Sequence, residues 1–588
     1  MLTLRQRLTQ VVSQAFDDCG YDAAFGVTQP SDREDLCEFQ CNGALSAAKK
    51  YKKNPAIIAN EIVAKLSVHP WFKKVAFAPP GFINLDLDDV FLAECARLMA
   101  EDERLALPTC TPRTIVIDYG GPNVAKPLHI GHLRTAIIGE SLVRLARFLG
   151  NNVIGDVHLG DWGLQMGLII AGLREREPSL PYFDDSYTGE YPTEAPVTLD
   201  DLNALYPEAS RRSKDDEEFK SSAARATFDL QNGRRGYVAL WHRFLDISVS
   251  DLKKSYEKLN VHFDKWLGES DAAPYVEGML KSLADAGITY MSDGALIADV
   301  AQDDDTDELP PIMISKSDGS QLYGTTDVAT IIQRVRDFNP DEMWYVVDSR
   351  QALHFRQVFR LAHRAGFVRD DVILTHVGFG TMNGKDGKPY KTRDGGVMRL
   401  SDLIDTATDA ARAKMDESHA MSDISDDERA LEAEKVGIAA LKFGDLINHR
   451  TKDYVFDMDR FLASEGKTGP YLQYCVVRIT SVLKKAADAG IESGELLPPV
   501  SATERTLMLK LLGIGDVLLR AYADKAPNAI CEALFDITSI FNRFYSENKI
   551  LICEDTARRA SWLKLLELTH GMISTLLDIL AIDVPNHM

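Results

Sequence analysis

The string Pro127-Leu128-His129-Ile130-Gly131-His132 places two imidazoles three positions apart, just after Lys126. Two such rings could bind a metal ion, cap a helix, or donate hydrogen bonds to charge that develops on phosphoryl oxygens. Context favours the last. The string follows an apolar run at 114–119 (TIVIDY) and a turn-forming GGPN, and it opens a helical pattern at about 132–149 that stops at Gly150. A helix start offers unpaired N–H groups and the positive end of its dipole, so it attracts phosphate. Gly131 lets a flat ring approach the backbone. A second strand pattern at 153–157 runs into Gly160-Asp161-Trp162-Gly163. Lys126, His129, Gly131, His132, Gly160 and Asp161 thus read as a nucleotide cradle at the opening β-α-β of a parallel sheet.

The rest of the chain supplies what must position this cradle. Residues 1–110 read as a small α+β unit closing with two short β-type runs around Pro79, Pro80 and Gly81, followed by a linker, LPTCTPR. The first half of a Rossmann-like catalytic domain spans 111–170, and a polar helical insertion 171–275. The second half, 276–400, carries strand patterns at 288–291, 295–300, 311–315, 343–347 and 372–377, which would complete the sheet and add a hairpin. A connecting helical region spans 401–465. From 466 to 588 helical periodicity prevails, near 472–487, 502–523, 528–548 and 556–580, and predicts an all-α helix bundle.

Composition narrows the class. With 66 basic against 88 acidic residues the chain carries a net charge of −22, which argues against coating nucleic acid through a global positive field. A nucleic-acid partner must meet local basic patches such as Lys49-Lys50-Tyr51-Lys52-Lys53 with Lys73-Lys74, away from the acidic stretches 303–308 and 423–434. Arg5, Arg7, Asp17 and Asp18 interrupt what would have to be an apolar signal core, and no apolar run spans a bilayer. The eight cysteines lack metal-ligand spacing, so a cytoplasmic protein without a disulfide framework or zinc site is expected.

His129-Ile130-Gly131-His132 is the HIGH signature of class I aminoacyl-tRNA synthetases, and the longer string from Gly121 to Arg134 resembles the arginyl-tRNA synthetase family. The resemblance extends over nearly the whole chain, through Gly160 to Gly163, Tyr323 to Asp327 (YGTTD), Asp348 to Gln351, Lys385 to Arg393, Gly466 to Tyr474 and Phe544-Tyr545. It implies a ligase of protein biosynthesis that couples ATP, with Mg2+ on the nucleotide, to charging of tRNA-Arg with L-arginine. A monomer and the absence of a dedicated protein metal site are expected.

Class I enzymes carry a second, Lys-rich signature loop. Met313-Ile314-Ser315-Lys316-Ser317 resembles it in letters, while Lys388, Lys391 and Arg393 keep only the cations. Position favours the latter, because the loop must follow the last strand of the second half-sheet to face the histidines. A guanidinium, planar with five donors, needs carboxylates placed for bidentate pairing. Asp118 at the end of the first strand and Asp327, read as beginning a helix, are the suppliers, although either alone could be a cap or surface acid. The family implies Tyr323 beside them, Asn123 and Gln351 on the α-amino and carboxylate end, and Phe82 and Asn84 on a tRNA loop base. It also implies that activation needs bound tRNA. Tyr471, Tyr474, Phe544 and Tyr545 are expected to mix core and RNA-contact roles.

Overall fold

The computed structural model describes residues 2–33, 35–306, 308–315, 323–388, 398–418 and 424–588. In the N-terminal unit, α1 (Leu4–Asp18) starts at a capping box in which the Thr3 hydroxyl accepts the Gln6 N–H and the Gln6 side chain accepts that of Thr3. Strands β1 (Thr28–Pro30), β2 (Phe39–Cys41), β3 (Phe72–Ala78) and β4 (Phe82–Leu87) form an antiparallel sheet in the order β1-β2-β4-β3. Alternation along β4 buries Ile83, Leu85 and Leu87 and turns Phe82, Asn84 and Asp86 to the other face. Helices α2 (Gly43–Tyr51), α3 (Pro55–Leu66) and α4 (Asp89–Glu101) complete the unit.

The catalytic sheet, among the described residues, has five parallel strands in the order β12-β11-β5-β6-β7. These are β5 (Thr114–Asp118), β6 (Asn152–Leu159), β7 (Lys265–Gly268), β11 (Glu342–Tyr345) and β12 (Ile373–His376). Ile115, Val116 and Ile117 of β5 are fully buried, as a central parallel strand covered on both faces requires. Between β5 and β6 runs α5 (Ile130–Phe148); its neighbour across the reversal of strand order is β11, so the crevice at the carboxyl end of β5 is the topological switch point. After β6 come α6 (Leu164–Arg176), α7 (Leu199–Asp215), α8 (Glu217–Gln231) and α9 (Arg235–Lys258), the helical insertion.

Two expectations change here. Lys265–Gly268, placed by the sequence inside the insertion, is the edge strand of the parallel sheet; a four-residue strand with one short apolar pair does not stand out from flanking helices. The strands β8 (Thr289–Ser292), β9 (Ala295–Ala298) and β10 (Ile312–Ser315), expected partly within that sheet, form a separate antiparallel sheet behind α10 (Glu269–Asp285) and α11 (Tyr323–Phe338). Helix α12 (Ala352–Arg364) links β11 to β12.

A short strand β13 (Met382–Asn383) pairs in parallel with β14 (Tyr454–Val455), spanned by α13 (Leu400–Ser418) and α14 (Asp426–Leu446). After α15 (Met458–Phe461), the bundle consists of α16 (Gly469–Asp488), α17 (Ala502–Leu512), α18 (Ile514–Asp524), α19 (Asn528–Glu547) and α20 (Thr556–Ile579). The helical pattern at 502–523 is thus two helices broken at Gly513, a break hidden by good helix formers on both sides.

Candidate active site

His129 is the N-cap of α5, with φ −118° and ψ 168°, and its Nδ1 accepts the N–H of Gly131 at 3.1 Å. His132 reciprocates: its Nδ1 accepts the N–H of His129 at 3.0 Å. The two rings stand 3.9 Å apart. Because each Nδ1 receives a backbone proton, each neutral ring carries its own proton on Nε2. Capping and phosphate binding are therefore compatible, one nitrogen serving each. Burial holds His132 down to about 3, with His129 and Lys126 adding to the shift; burial and then Lys126 also lower His129, which keeps an exposed edge. Both are neutral donors at pH 7. A Cβ on Gly131 would come within 2.8 Å of the His129 ring, so glycine is required between them.

The Lys126 ammonium lies 4.4 Å over the ring of Tyr206 on α7, anchored to the insertion by a cation–π contact. Asn123 pairs with Gly160 in a parallel bridge; the Gly160 N–H donates to Pro122 and its carbonyl accepts from Val124 and the Gln165 side chain. A side chain at Gly160 would strike Asn123 Oδ1, so this glycine shapes the wall and its N–H has no capacity left for phosphate.

Asp161 has a structural role. Its carboxylate accepts the N–H of Ser270 at 3.0 Å and the Ser270 hydroxyl at 2.6 Å, and its carbonyl accepts from Trp241. Its carboxylate secures the start of α10, a role the sequence did not announce. Burial pushes it up to about 6.

The acids at the sheet edge divide into two groups. Asp118 and Asp156 share the fully buried guanidinium of Arg334, whose Nη2 donates to each at 2.7 Å. Asp118, expected to receive a substrate guanidinium, already holds the protein's own on Oδ2. Asp327, in the second turn of α11, receives the Nε2–H of His354 at 2.5 Å. Glu269, the first residue of α10, is pushed up to about 7 by burial and then by Asp161 and Asp327. Among the described residues no lysine or arginine forms an ion pair with Glu269 or Asp327. Glu269 is the residue sequence reasoning missed; its signal was an acid directly after Gly268 at a strand end.

Gln351 is exposed on the 3-10 turn that follows Asp348. Lys388 follows β13, its carbonyl accepting the Gly384 N–H at 2.7 Å. Lys391, Arg393, Lys316 and the Tyr323 side chain lie outside the described residues. Where the chain resumes, it runs along the histidine string: the Ile130 N–H donates to Met398, the Leu400 N–H to Leu128, and Arg399 bridges His129. Met398 to Leu400 therefore lie beside the histidine string, whereas Ile312–Ser315 belongs to the separate antiparallel sheet.

Away from the crevice, Phe82 and Asn84 sit half-buried on the open face of β4, with Asn84 Oδ1 accepting from Gln40 at 2.9 Å. Lysines of that unit are partly neutralised, in Lys50–Asp22, Lys53–Glu61 and Lys73–Asp89. In the bundle Phe544 is fully buried, while Tyr474 is 42% exposed with the Arg478 guanidinium 4.6 Å over its ring.

Comparison with known proteins places these features in a family. Residues 94–458 match the family described as tRNA synthetases class I (R), catalytic domain. Residues 472–588 match the DALR anticodon binding domain and residues 2–87 the arginyl tRNA synthetase N terminal domain. The chain is 50% identical over 590 residues to an arginine–tRNA ligase of Alkaliphilus oremlandii (strain OhILAs), covering 100% of both chains. It is 49% identical over 597 residues to that of Agathobacter rectalis, again covering 100% of both. The fold is similar to arginyl-tRNA synthetase structures from Plasmodium falciparum (TM-score 0.83, 23% identity) and Thermus thermophilus (TM-score 0.80, 21% identity), each covering 100% of both chains. These matches span the chain from its N-terminal unit to its C-terminal bundle, and the chain belongs to the arginine–tRNA ligase family of class I aminoacyl-tRNA synthetases.

Proposed function

We propose that this chain activates L-arginine with ATP, forming arginyl-adenylate and pyrophosphate, and then transfers the arginyl group to the 3′-terminal ribose of tRNA-Arg. The observation that carries the specificity is the pair Glu269 and Asp327, two acids that form no ion pair with a lysine or arginine among the described residues, beside Asp118 and Asp156, which share Arg334. A cation with fork geometry completes the first pair. Asp118, held by Arg334, backs the pocket.

The substrate carboxylate is already a nucleophile, so attack on the α-phosphorus needs no general base and catalysis is mostly positioning and stabilisation of phosphoryl charge. The Nε2–H groups of His129 and His132 donate to those oxygens, the α5 dipole adds to them, and Gly131 keeps the adenine side open. Lys388, Lys391 and Arg393 are assigned to the pyrophosphate leaving group. Asn123 and Gln351 orient the α-amino and carboxylate end, and Tyr323 is assigned to the guanidinium. Magnesium is expected to arrive on the ATP phosphates; among the described residues no group of three His, Cys, Asp or Glu side chains converges on a point, so these residues are given no ligand role. The acyl group passes to the 2′-hydroxyl, with tRNA bound by the β4 face through Phe82 and Asn84 and by the bundle. Activation requires that tRNA, and the enzyme works as a cytoplasmic monomer.

ATP–pyrophosphate exchange across the twenty amino acids, with and without tRNA, tests this reading. Exchange with arginine among the twenty, and only when tRNA is present, is expected; exchange indifferent to arginine would overturn it.

A further inference from the structure

The helix that carries the histidines is anchored, two to three turns beyond them, by a polar cluster to which the reaction above gives no part. Glu140 of α5, 2% exposed, accepts from the Tyr119 hydroxyl at 2.9 Å, from the His262 N–H at 3.1 Å and from Arg144 Nε at 2.7 Å. One turn on, the Arg144 guanidinium reaches two other parts of the chain. Its Nη1 donates to the carboxylate and carbonyl of Asp578, at the C-terminal end of α20, at 2.9 and 3.2 Å. Its Nη2 donates to the side chain and carbonyl of Asn260, in the turn leading to β7, at 2.7 and 3.3 Å.

The far side of the contact is equally tied down. Asn260 Nδ2 donates to Asp583 at 3.0 Å, Gln473 of α16 to the Asp583 carbonyl at 2.6 Å, and the Asn586 N–H to Glu432 of α14 at 2.8 Å. Lys442 of α14, fully buried, donates to the Ala581 carbonyl. Residues 578–586 are therefore gripped by the bundle side on one flank and by α5 and the Asn260 turn on the other.

That turn feeds β7, and β7 ends on Gly268, directly before Glu269 and Ser270. One guanidinium, itself on the helix whose first turn carries both imidazoles, thus touches the turn that feeds the strand ending at the acid pocket, and it fastens both to the last helix of the bundle. A rigid fork of donors suits such a three-way joint in a way an ammonium does not.

We propose that Arg144 is a positioning residue for adenylate formation: through Asn260 and Asp578 it sets the histidine helix, the Glu269 pocket and the end of the bundle in register. This rests on the reaction proposed above, and misplacement of donors by about 1 Å is enough to cost about a hundredfold in rate.

The test uses the full-length chain with Arg144→Met, Arg144→Lys and Asp578→Asn, the last at a carboxylate whose side chain is 77% exposed. Arg144→Met is expected to lower kcat for exchange about tenfold to a hundredfold while the KM values for ATP and arginine move less than about threefold. Arg144→Lys should not restore the rate, and Asp578→Asn should slow the wild type yet add nothing to Arg144→Met. Amide hydrogen exchange gives a readout independent of activity: protection should fall in Arg144→Met at 130–133 and 266–270 and stay unchanged in α1. A normal kcat per folded molecule, or unaltered protection at both segments, overturns the proposal and leaves the cluster a structural joint. Failure of the wild type to show arginine-dependent exchange would sink the functional reading instead, while the hydrogen-exchange comparison still decides the role of Arg144.

Discussion

His132 Nδ1 accepts the backbone N–H of His129 at 3.0 Å, so one side chain both closes the first turn of α5 and presents Nε2–H outward. The two duties can be separated. His132→Asn keeps an oxygen able to cap but moves the donor, and His132→Ala loses both. Each should slow adenylate formation by about 10²–10³ in single-turnover measurements, with only the alanine variant also losing helix stability. A near-normal single-turnover rate in either would remove His132 from the phosphoryl site.

Asp327→Ala should weaken arginine binding by roughly 3–5 kcal/mol if it leaves a desolvated cation unpaired, with ATP affinity little changed. Calorimetry on the separate substrates measures this. An unaltered arginine affinity would assign the guanidinium to other groups.

The raised Glu269 carboxyl, at about 7, makes arginine affinity depend on pH. A cationic side chain favours the ionised acid, so affinity should climb about tenfold between pH 6 and 8 with proton release, and Glu269→Gln should flatten the profile. The stability effect has the opposite sign. A carboxyl whose folded value lies above its unfolded one binds an extra proton in the native state, so its contribution is lost as pH rises from the ordinary glutamate range through 7. Glu269→Gln should therefore raise the unfolding temperature of the arginine-free protein at pH 8 more than at pH 5. Equal shifts at the two pH values would contradict the assignment.

Arg505 of α17 donates to both Glu38 oxygens, at 2.7 and 3.0 Å, to the Leu87 carbonyl at 2.6 Å and to Asp89, joining the N-terminal unit to the bundle. If each module grips a different part of the tRNA, a fixed spacing raises the effective concentration of the second contact. Arg505→Ala should raise the KM for tRNA about tenfold or more while leaving that for ATP unchanged. Unchanged tRNA binding in a direct titration would make the joint irrelevant to substrate.

Phe82 lies half-buried on β4, on the face opposite Ile83, Leu85 and Leu87. Phe82→Ala should cost about 1–3 kcal/mol of tRNA affinity if a base stacks there, and arginine-dependent exchange at saturating tRNA should survive. A loss of thermal stability with intact tRNA affinity would place Phe82 in the core instead.

What the sequence determined by itself was local. A histidine at the cap position and another three residues on can meet only because a helix start brings them together, so the string from Pro127 to His132 announced its geometry. Apolar runs of the parallel strands β5 and β6 and the periodicity of the bundle were legible for the same reason, each resting on contacts within a few residues. The break at Gly513 and the edge strand Lys265–Gly268 were not, since neighbours of opposite tendency masked them. The allocation of charge belonged wholly to the tertiary structure. Arg334 lies 216 positions from Asp118, yet the crossover that sets α11 over β5 decides that Asp118 is already paired. The same packing spends Asp161 on Ser270, sets His354 on Asp327, and among the described residues leaves Glu269 and Asp327 without a lysine or arginine. Likewise, the pairing of Met398 and Leu400 with Ile130 and Leu128 joins residues far apart in sequence, which no local pattern announces. Helix starts and strand patterns follow from neighbours along the chain; which acid remains open to a substrate cation follows from what the fold places across from it.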